Sequence, residues 1–360
     1  MARAFVADSK RDILEFRDKL LEVVSDARNC YVDGSTGAYD DEAFVRMMFV
    51  DGCFLLYFID KVLQGKYNDL EELAGHLGFG RWPVLIGDLI LLENQLPFLV
   101  LQTLMSVRFP EDAGKGLIET YIDVYFIQDL EARKMMISGQ RSNGTKYDGD
   151  QQPLHLLELT RRRFFGSTKG EDGPPSGTGL RGHRATKQIN SFRSATELEA
   201  RGIHFRPSNT YILNDFTFSS RFLHGRVTLP QVVVDIQTKR VFSNMMADEL
   251  APFGFGVQKI CNYIYFMNSL INGADDVIEL RSHRIIYNLL GTDEEVAKLF
   301  NNLAAFCGDP LLSDKTKAVI TGIKEHNNSK RKTWTAQLLH NYFSSPWTAL
   351  AFFAQLLHWF

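Results

Sequence analysis

The stretch Val84–Leu101 (VLIGDLILLENQLPFLVL) sets the tightest limit on what this chain can fold into. It is too apolar to lie on a surface. Asp88, Glu93, Asn94, Gln95 and Pro97 interrupt it too often for the ~20-residue apolar helix that a membrane span needs. The segment therefore belongs in a core, with a break at Pro97, which lacks a backbone donor and clashes with the preceding turn. Polar groups in such a place are costly unless hydrogen-bonded. Glu93, Asn94 and Gln95 are expected to cap and bond the backbone where the helix breaks. The competing reading makes one of these acids a carboxylate with a raised pKa, working as acid or base.

Around this segment the periodicity is helical. Ile13, Phe16, Leu20, Val24, Ala27 and Tyr31 recur at steps of three or four and predict one helix over Ile13–Tyr31. Asp41–Leu63 predicts a second, more buried one, and 117–137 another. Gly166–Gly182 holds six glycines and two prolines in seventeen residues, which predicts a flexible surface loop. Ser194 and Thr196 stand three residues before Glu197 and Glu199 and predict overlapping capping boxes. From Ile203 to Phe242 the texture turns β-branched and aromatic. Short strands are expected at Tyr211–Leu213, Phe216–Phe218 and Val227–Ile236. Helical patterns return at Val257–Ile271, after the capping box Thr292-x-x-Glu295, and at Asp314–Lys324 and Trp334–Phe343. The fold class is mainly α (α+β), helical with a small β insert in the second half. The 27 phenylalanines, against 12 tyrosines and 4 tryptophans, are expected to fill its core.

Charge is uneven. Arg161–Arg206 carries ten Lys/Arg and four acids, a net +6 that leaves −9 for the rest of a chain whose total is −3. Arg161, Arg162, Arg163, Arg181 and Arg184 are the candidate contact residues for an acidic partner or an anionic membrane face. Nothing basic enough for nucleic acid binding is present in the chain as a whole. The four cysteines, Cys30, Cys53, Cys261 and Cys307, form no C-x-x-C pair; Cys53 and Cys261 sit in apolar stretches and are expected to be buried free thiols. The first fifteen residues contain no apolar signal-peptide core.

Catalytic signatures such as H-E-x-x-H, G-x-S-x-G and G-x-x-x-x-G-K-[ST] are absent from the sequence. Nine histidines show no i,i+4 pair among themselves, so no zinc site and no cofactor is expected. Asp51 sits alone within an apolar helix. Glu42, Asp51 and Glu93 are the candidates for a hard-cation cluster, against the favoured expectation of an acid paired structurally with Arg28 or Arg46, and Asp51 with Glu93 for an enzyme site. Asp275–Asp276–Val277 follows an apolar run and is expected at a helix end.

Several strings taken together carry a resemblance. They are ARNCY (Ala27–Tyr31), VDGCFLLYFID (Val50–Asp60), DLILLENQLPFLVL (Asp88–Leu101) and ELEARGIHF (Glu197–Phe205). LPQVVVDIQTKRVFSNMMADE (Leu229–Glu249), the long run Asn262–Leu303 and YFSSPW (Tyr342–Trp347) follow in order. The chain resembles the large plant family known only as domain of unknown function 247. It departs from the family pattern in lacking the early Val-Pro and Gly-Pro-Tyr-His segments and a full hydrophobic C-terminal anchor. The resemblance makes Asp51, Asp88, Glu93, Asn94, Gln95 and Pro97 family-motif structural residues and supplies no catalytic ones.

It also implies one family domain over 11–350. Its helical part would be 11–165, its basic Gly/Pro loop 166–193, its β-containing segment 201–243 and its C-terminal helical part 244–345. Residues 346–360 (PWTALAFFAQLLHWF) would begin a hydrophobic tail. Some grass members of the family act as pollen-side determinants of self-incompatibility, and others are linked to growth or stress responses. The expectation is thus a non-enzymatic plant recognition or signalling protein. It would meet an unknown protein partner and lie at the plasma membrane, through its tail, or in the cytoplasm. A carboxylate enzyme and a shortened, functionless fragment are the alternatives.

Overall fold

A computed structural model describes residues 1–70, 75, 82–110, 113–128, 152–166, 194–221, 224–251, 258–308 and 310–328. The chain divides into two compact units, one of 1–169 with 240–248 and one of 170–239 with 249–360. Among the described residues there are fourteen α-helices and five short strands, mainly α with a small β insert in the second half.

The first unit is built around α4 (Asp41–Leu63), which follows α1 (Ala2–Ser9), α2 (Ile13–Glu22) and α3 (Val24–Arg28). Asp40 starts α4 by accepting the Ala43 N–H at 2.8 Å, an N-cap of the kind a short acid makes. Phe44, Val45, Met48, Cys53, Leu55, Leu56, Phe58, Ile59 and Val62 are buried along it. Each such side chain contributes about 1.5–3 kcal/mol on leaving water. Helix α4 packs on α1, α2, α6 (Phe98–Arg108) and α7 (Ala113–Ile122). At the α4–α6 contact Gly52 is required: a Cβ there would run into Leu104 Cδ1.

A partly buried charge network ties α1 to α4 and α6. Arg108 Nη2 lies 2.9 Å from Asp60 Oδ2, and Nη1 donates to the Phe5 carbonyl at 2.7 Å. Lys61 Nζ bridges Asp8 at 2.8 Å and Asp69 at 3.1 Å. Burial pushes the Asp8 carboxyl up, but Lys61 and Arg108 outweigh it and hold it below the ordinary carboxylate range.

The single helix expected over Ile13–Tyr31 is two, broken at Val23; Phe16, Leu20, Val24 and Ala27 of the expected stripe are buried, but Ile13 is exposed and Tyr31 only half-buried. The helix expected over 117–137 is α7, which passes into a π turn at Asp123–Ile127 and ends at Gln128 with φ +57°. Residues 129–137 lie outside the described ones, as do 167–193 and 329–360, so the Gly/Pro loop and the tail are not described.

In the second unit, α11 (Lys259–Leu270) is buried on nearly every side and packs on α13 (Asp293–Cys307). Glu249 caps α11 from outside, its carboxylate accepting the Ile260 and Cys261 N–H groups at 3.1 Å, where the helix dipole favours an anion. Phe216 stacks on Phe266 with centroids 4.4 Å apart. Strands β1 (Ile203–Pro207), β3 (Gly225–Leu229) and β2 (Thr217–Ser220) form one sheet in that order, β1 parallel and β2 antiparallel to β3. Their alternation buries Ile203, Phe205, Val227 and Leu229 and leaves His204 exposed. Strand β4 (Val232–Val234) pairs in parallel with β5 (Ile286–Asn288). Helix α14 (Asp314–Asn328) packs on β2, where Gly322 meets Phe218.

Tyr211–Leu213 is not a strand. The Asp215 N–H donates to the Ile212 carbonyl at 2.8 Å and Thr210 Oγ1 bonds Asp215, so the segment turns. The capping boxes at Ser194 and Thr196 are also replaced. Ser194 precedes α9 (Ala195–Glu199) but makes no side-chain cap; Thr196 is bonded to Asp276 instead. The box at Thr292 and Glu295 forms as expected at the start of α13. Cys53 and Cys261 are buried free thiols, as expected; Cys307 is buried too and Cys30 is exposed.

Candidate functional site

Asn94 and Gln95 are spent on the backbone, as expected, whereas Glu93, expected to join them, is exposed to solvent. Helix α5 (Trp82–Asp88) ends before them, a short 3-10 turn spans Leu92–Asn94, and α6 begins at Phe98. Asn94 Nδ2 donates to the Asp88 carbonyl at 3.0 Å. Gln95 Nε2 donates to the Leu89 and Leu91 carbonyls at 3.1 and 2.7 Å, and its Oε1 accepts the Leu157 N–H at 2.8 Å. The Phe98 N–H, lying just past Pro97, donates to the Leu154 carbonyl at 2.7 Å. One glutamine side chain thus satisfies two carbonyls at the break and one N–H in the first turn of the helix that starts at Leu156.

Two of the sequence strings meet in this unit. Arg240 Nη1, on α10 (Thr238–Leu250), lies 2.8 Å from Asp88 Oδ1 and 3.0 Å from the Val84 carbonyl. Asn244 Oδ1 accepts the Leu92 N–H at 2.9 Å. Glu93 is exposed. Asp51 is exposed as a residue, yet the side chains packed around it raise its carboxyl above the ordinary value. Glu42 pairs with Arg17. Among the described residues Glu42, Asp51 and Glu93 do not form a metal-ligating group.

The arginine run is neutralised where it is described. On α8 (Leu156–Phe165), Arg162 Nε bonds Glu158 Oε1 at 2.9 Å and Arg163 Nε bonds Asp123 Oδ1 at 2.9 Å. Arg161 Nε lies 3.7 Å from Asp248 Oδ2. These side chains are 14–19% exposed and are internal partners of acids. Arg181 and Arg184 lie outside the described residues.

The second unit holds a group of side chains that histidine spacing alone does not reveal. Glu279 and His283 are four residues apart on α12 (Ala274–Ser282) and its end, so both side chains project from one face. The helix stops in a Schellman motif: the Arg284 N–H reaches the Arg281 carbonyl at 2.8 Å and the Ile285 N–H reaches the Leu280 carbonyl at 3.0 Å. Arg284 takes the left-handed φ of +59° usually given to glycine. His283 is thereby fixed at the helix end, with Nε2 3.0 Å from Glu279 Oε1 and 3.7 Å from Glu199 Oε2.

Glu199 ends α9. Gly202, at φ +79°, then turns the chain into β1, which returns His204 so that Nδ1 contacts Glu199 Oε1. The ligating atoms of Glu199, Glu279 and His283 all lie within 4.8 Å of one another. Glu199 Oε2 is shut off from solvent and receives no hydrogen bond. A search for mixed Glu/His pairs at i,i+4 would have found Glu279 and His283. Nothing in the sequence ties Glu199 to them.

The architecture defines a mainly helical protein in which Asn94 and Gln95 of the first unit's motif bond the backbone. The family described as "Plant protein of unknown function", domain of unknown function 247, matches residues 1–359, and the chain belongs to it. The chain is 28% identical over 321 residues to the UPF0481 protein At3g47200 of Arabidopsis thaliana, covering 85% of this chain and 63% of that protein. It is 27% identical over 166 residues to the putative UPF0481 protein At3g02645 of the same plant, covering 46% of this chain and 30% of that one. The match thus spans under two thirds of either relative's length. No solved structure matches.

Proposed function

We propose that the chain works by recognition, binding a protein partner rather than catalysing a reaction. What supports this in the first unit is the use of its polar residues: Asp88, Asn94 and Gln95 all serve as structural bonds.

The observation that carries the reading is the end of the β4–β5 sheet. Ile236 is 77% exposed, Leu289 64% and Tyr287 42%. The Leu289 N–H bonds the Val234 carbonyl at 2.8 Å, one residue past the last paired position, so Leu289 lies just beyond the end of the sheet, Ile236 follows the end of β4 by two residues, and Tyr287 stands on β5 opposite Val233. Exposed apolar side chains on and beside one small sheet are what an interaction surface offers. Among the described residues no third strand pairs with β4 or β5. Self-incompatibility-like or growth and stress signalling is the biological setting proposed for such a contact.

The test is proximity labelling in plant tissue with the chain fused to a biotin ligase. Wild type is compared with the Ile236→Asp, Leu289→Asp double variant, after both show the same Tm. The reading expects a neighbour enriched by wild type and lost from the double variant. Identical neighbours would count against it.

A second reading concerns the tail. Residues 346–360 (PWTALAFFAQLLHWF) are nearly all apolar, which supports membrane association through them. No helix among the described residues is long and apolar enough to cross a membrane. Flotation with anionic vesicles should recover the full chain and lose a version ending at 345. Equal recovery of the two would rule the tail out as the attachment.

A further inference from the structure

We propose that Glu199, Glu279 and His283 bind one divalent metal ion of the zinc class, with His204 as the residue that positions Glu199. The donor set is one imidazole nitrogen and two carboxylate oxygens. That set suits borderline first-row cations, which bind such ligands at about 2.0–2.2 Å. Ligand atoms already within 4.8 Å of one another need only small side-chain rotations to meet one ion.

Three features distinguish this group from a chance meeting of surface charges. The side chains come from two helices whose mutual position is fixed. Thr196 of α9 donates its N–H and its hydroxyl to Asp276 Oδ1 of α12, at 3.0 and 2.7 Å. The side chains are also only 24–27% exposed, so water competes weakly for the ion.

The third feature is the state of Glu199. His204 occupies Oε1, while Oε2 faces His283, hidden from solvent and without a hydrogen bond. A buried acceptor left so is costly, and a cation held there would satisfy it. The contact from His204 is also what an outer partner of a metal ligand provides: it fixes which carboxylate oxygen points at the ion. Three protein ligands leave a fourth position for water or for a partner's side chain.

The rival is a proton: His283 as an imidazolium between two carboxylates, needing no metal. The experiment is a calorimetric titration of the metal-stripped chain with ZnCl2 near pH 7.5, with Tm read in parallel. The expected result is one saturable Zn2+ per chain and a Tm rise of roughly 3–5 °C at a hundredfold excess over Kd. His283→Ala and Glu279→Gln should each weaken binding at least tenfold, and His204→Ala should weaken it less. Absence of saturable uptake by the wild-type chain would overturn the proposal and leave the proton. Unchanged uptake in His283→Ala and Glu279→Gln would overturn it as well, by placing zinc elsewhere.

Discussion

Asp276 Oδ1 accepts both the backbone N–H and the hydroxyl of Thr196, which lies eighty residues earlier in the chain. Its other oxygen accepts the N–H groups of Asn272 and Gly273 at 2.9 and 3.3 Å, at the start of its own helix. One carboxylate therefore caps two helices. Asp276→Ala should destabilise the second unit by about 2–4 kcal/mol, the sum of two caps and of N–H groups left unpaired. Urea denaturation measures it, and a loss under about 0.5 kcal/mol would refute the double cap.

The same residue gives a pH signature. Burial raises the Asp276 carboxyl, but bonds from Thr196, Ser194 and Asn272 outweigh it, and its folded pKa lies below the ordinary value. A depressed carboxyl stabilises the fold above the unfolded pKa, about 3.9, and loses that contribution as pH falls through the folded value. The stability gap between wild type and Asp276→Asn should therefore be constant from about pH 5 to 7 and narrow below about pH 4. A gap that widens on acidification would contradict the assignment.

In the first unit, Arg108 is 6% exposed and Asp60 4%. Removing the cation alone strands a buried charge, so Arg108→Met should cost about 3–5 kcal/mol. Arg108→Met with Asp60→Leu should cost less than the single change, because no charge is left unpaired. Chemical denaturation of the three chains decides this, and a double variant worse than Arg108→Met would refute it.

Gly52 lies where α4 crosses α6. Gly52→Val should overpack that contact and cost about 1–3 kcal/mol, and Leu104→Ala should partly rescue it by removing the opposing methyl groups. Additive losses in the double variant would mean that the two helices are held apart by something else.

These particulars show what the sequence could and could not say. The stripe Phe16, Leu20, Val24 and Ala27 was readable because helical periodicity survives a local break; the break at Val23 was not, since no Pro or Gly marks it. Gln95 and Asn94 were readable as backbone partners because polar groups beside a proline in an apolar run have few other uses. Strand β5 has three residues, too few for alternation to show. Thr196 looked like its own helix cap, and only the fold shows that Asp276 takes that bond. Glu199 reaches His283 across 84 positions, a separation that spacing rules do not span. The acids beside the arginine run were not all legible: Asp123 and Asp248 stand far from Arg163 and Arg161 in sequence, and only the fold brings them together.

The central claim is that Asn94 and Gln95 hold the backbone at the break before α6, and one stability comparison tests it. Gln95→Ala removes one acceptor and two donor bonds, whereas Glu93→Gln changes an exposed side chain. Guanidinium denaturation should show Gln95→Ala losing about 2–4 kcal/mol and Glu93→Gln staying within about 0.5 kcal/mol of wild type. Equal stability of all three chains would contradict the claim.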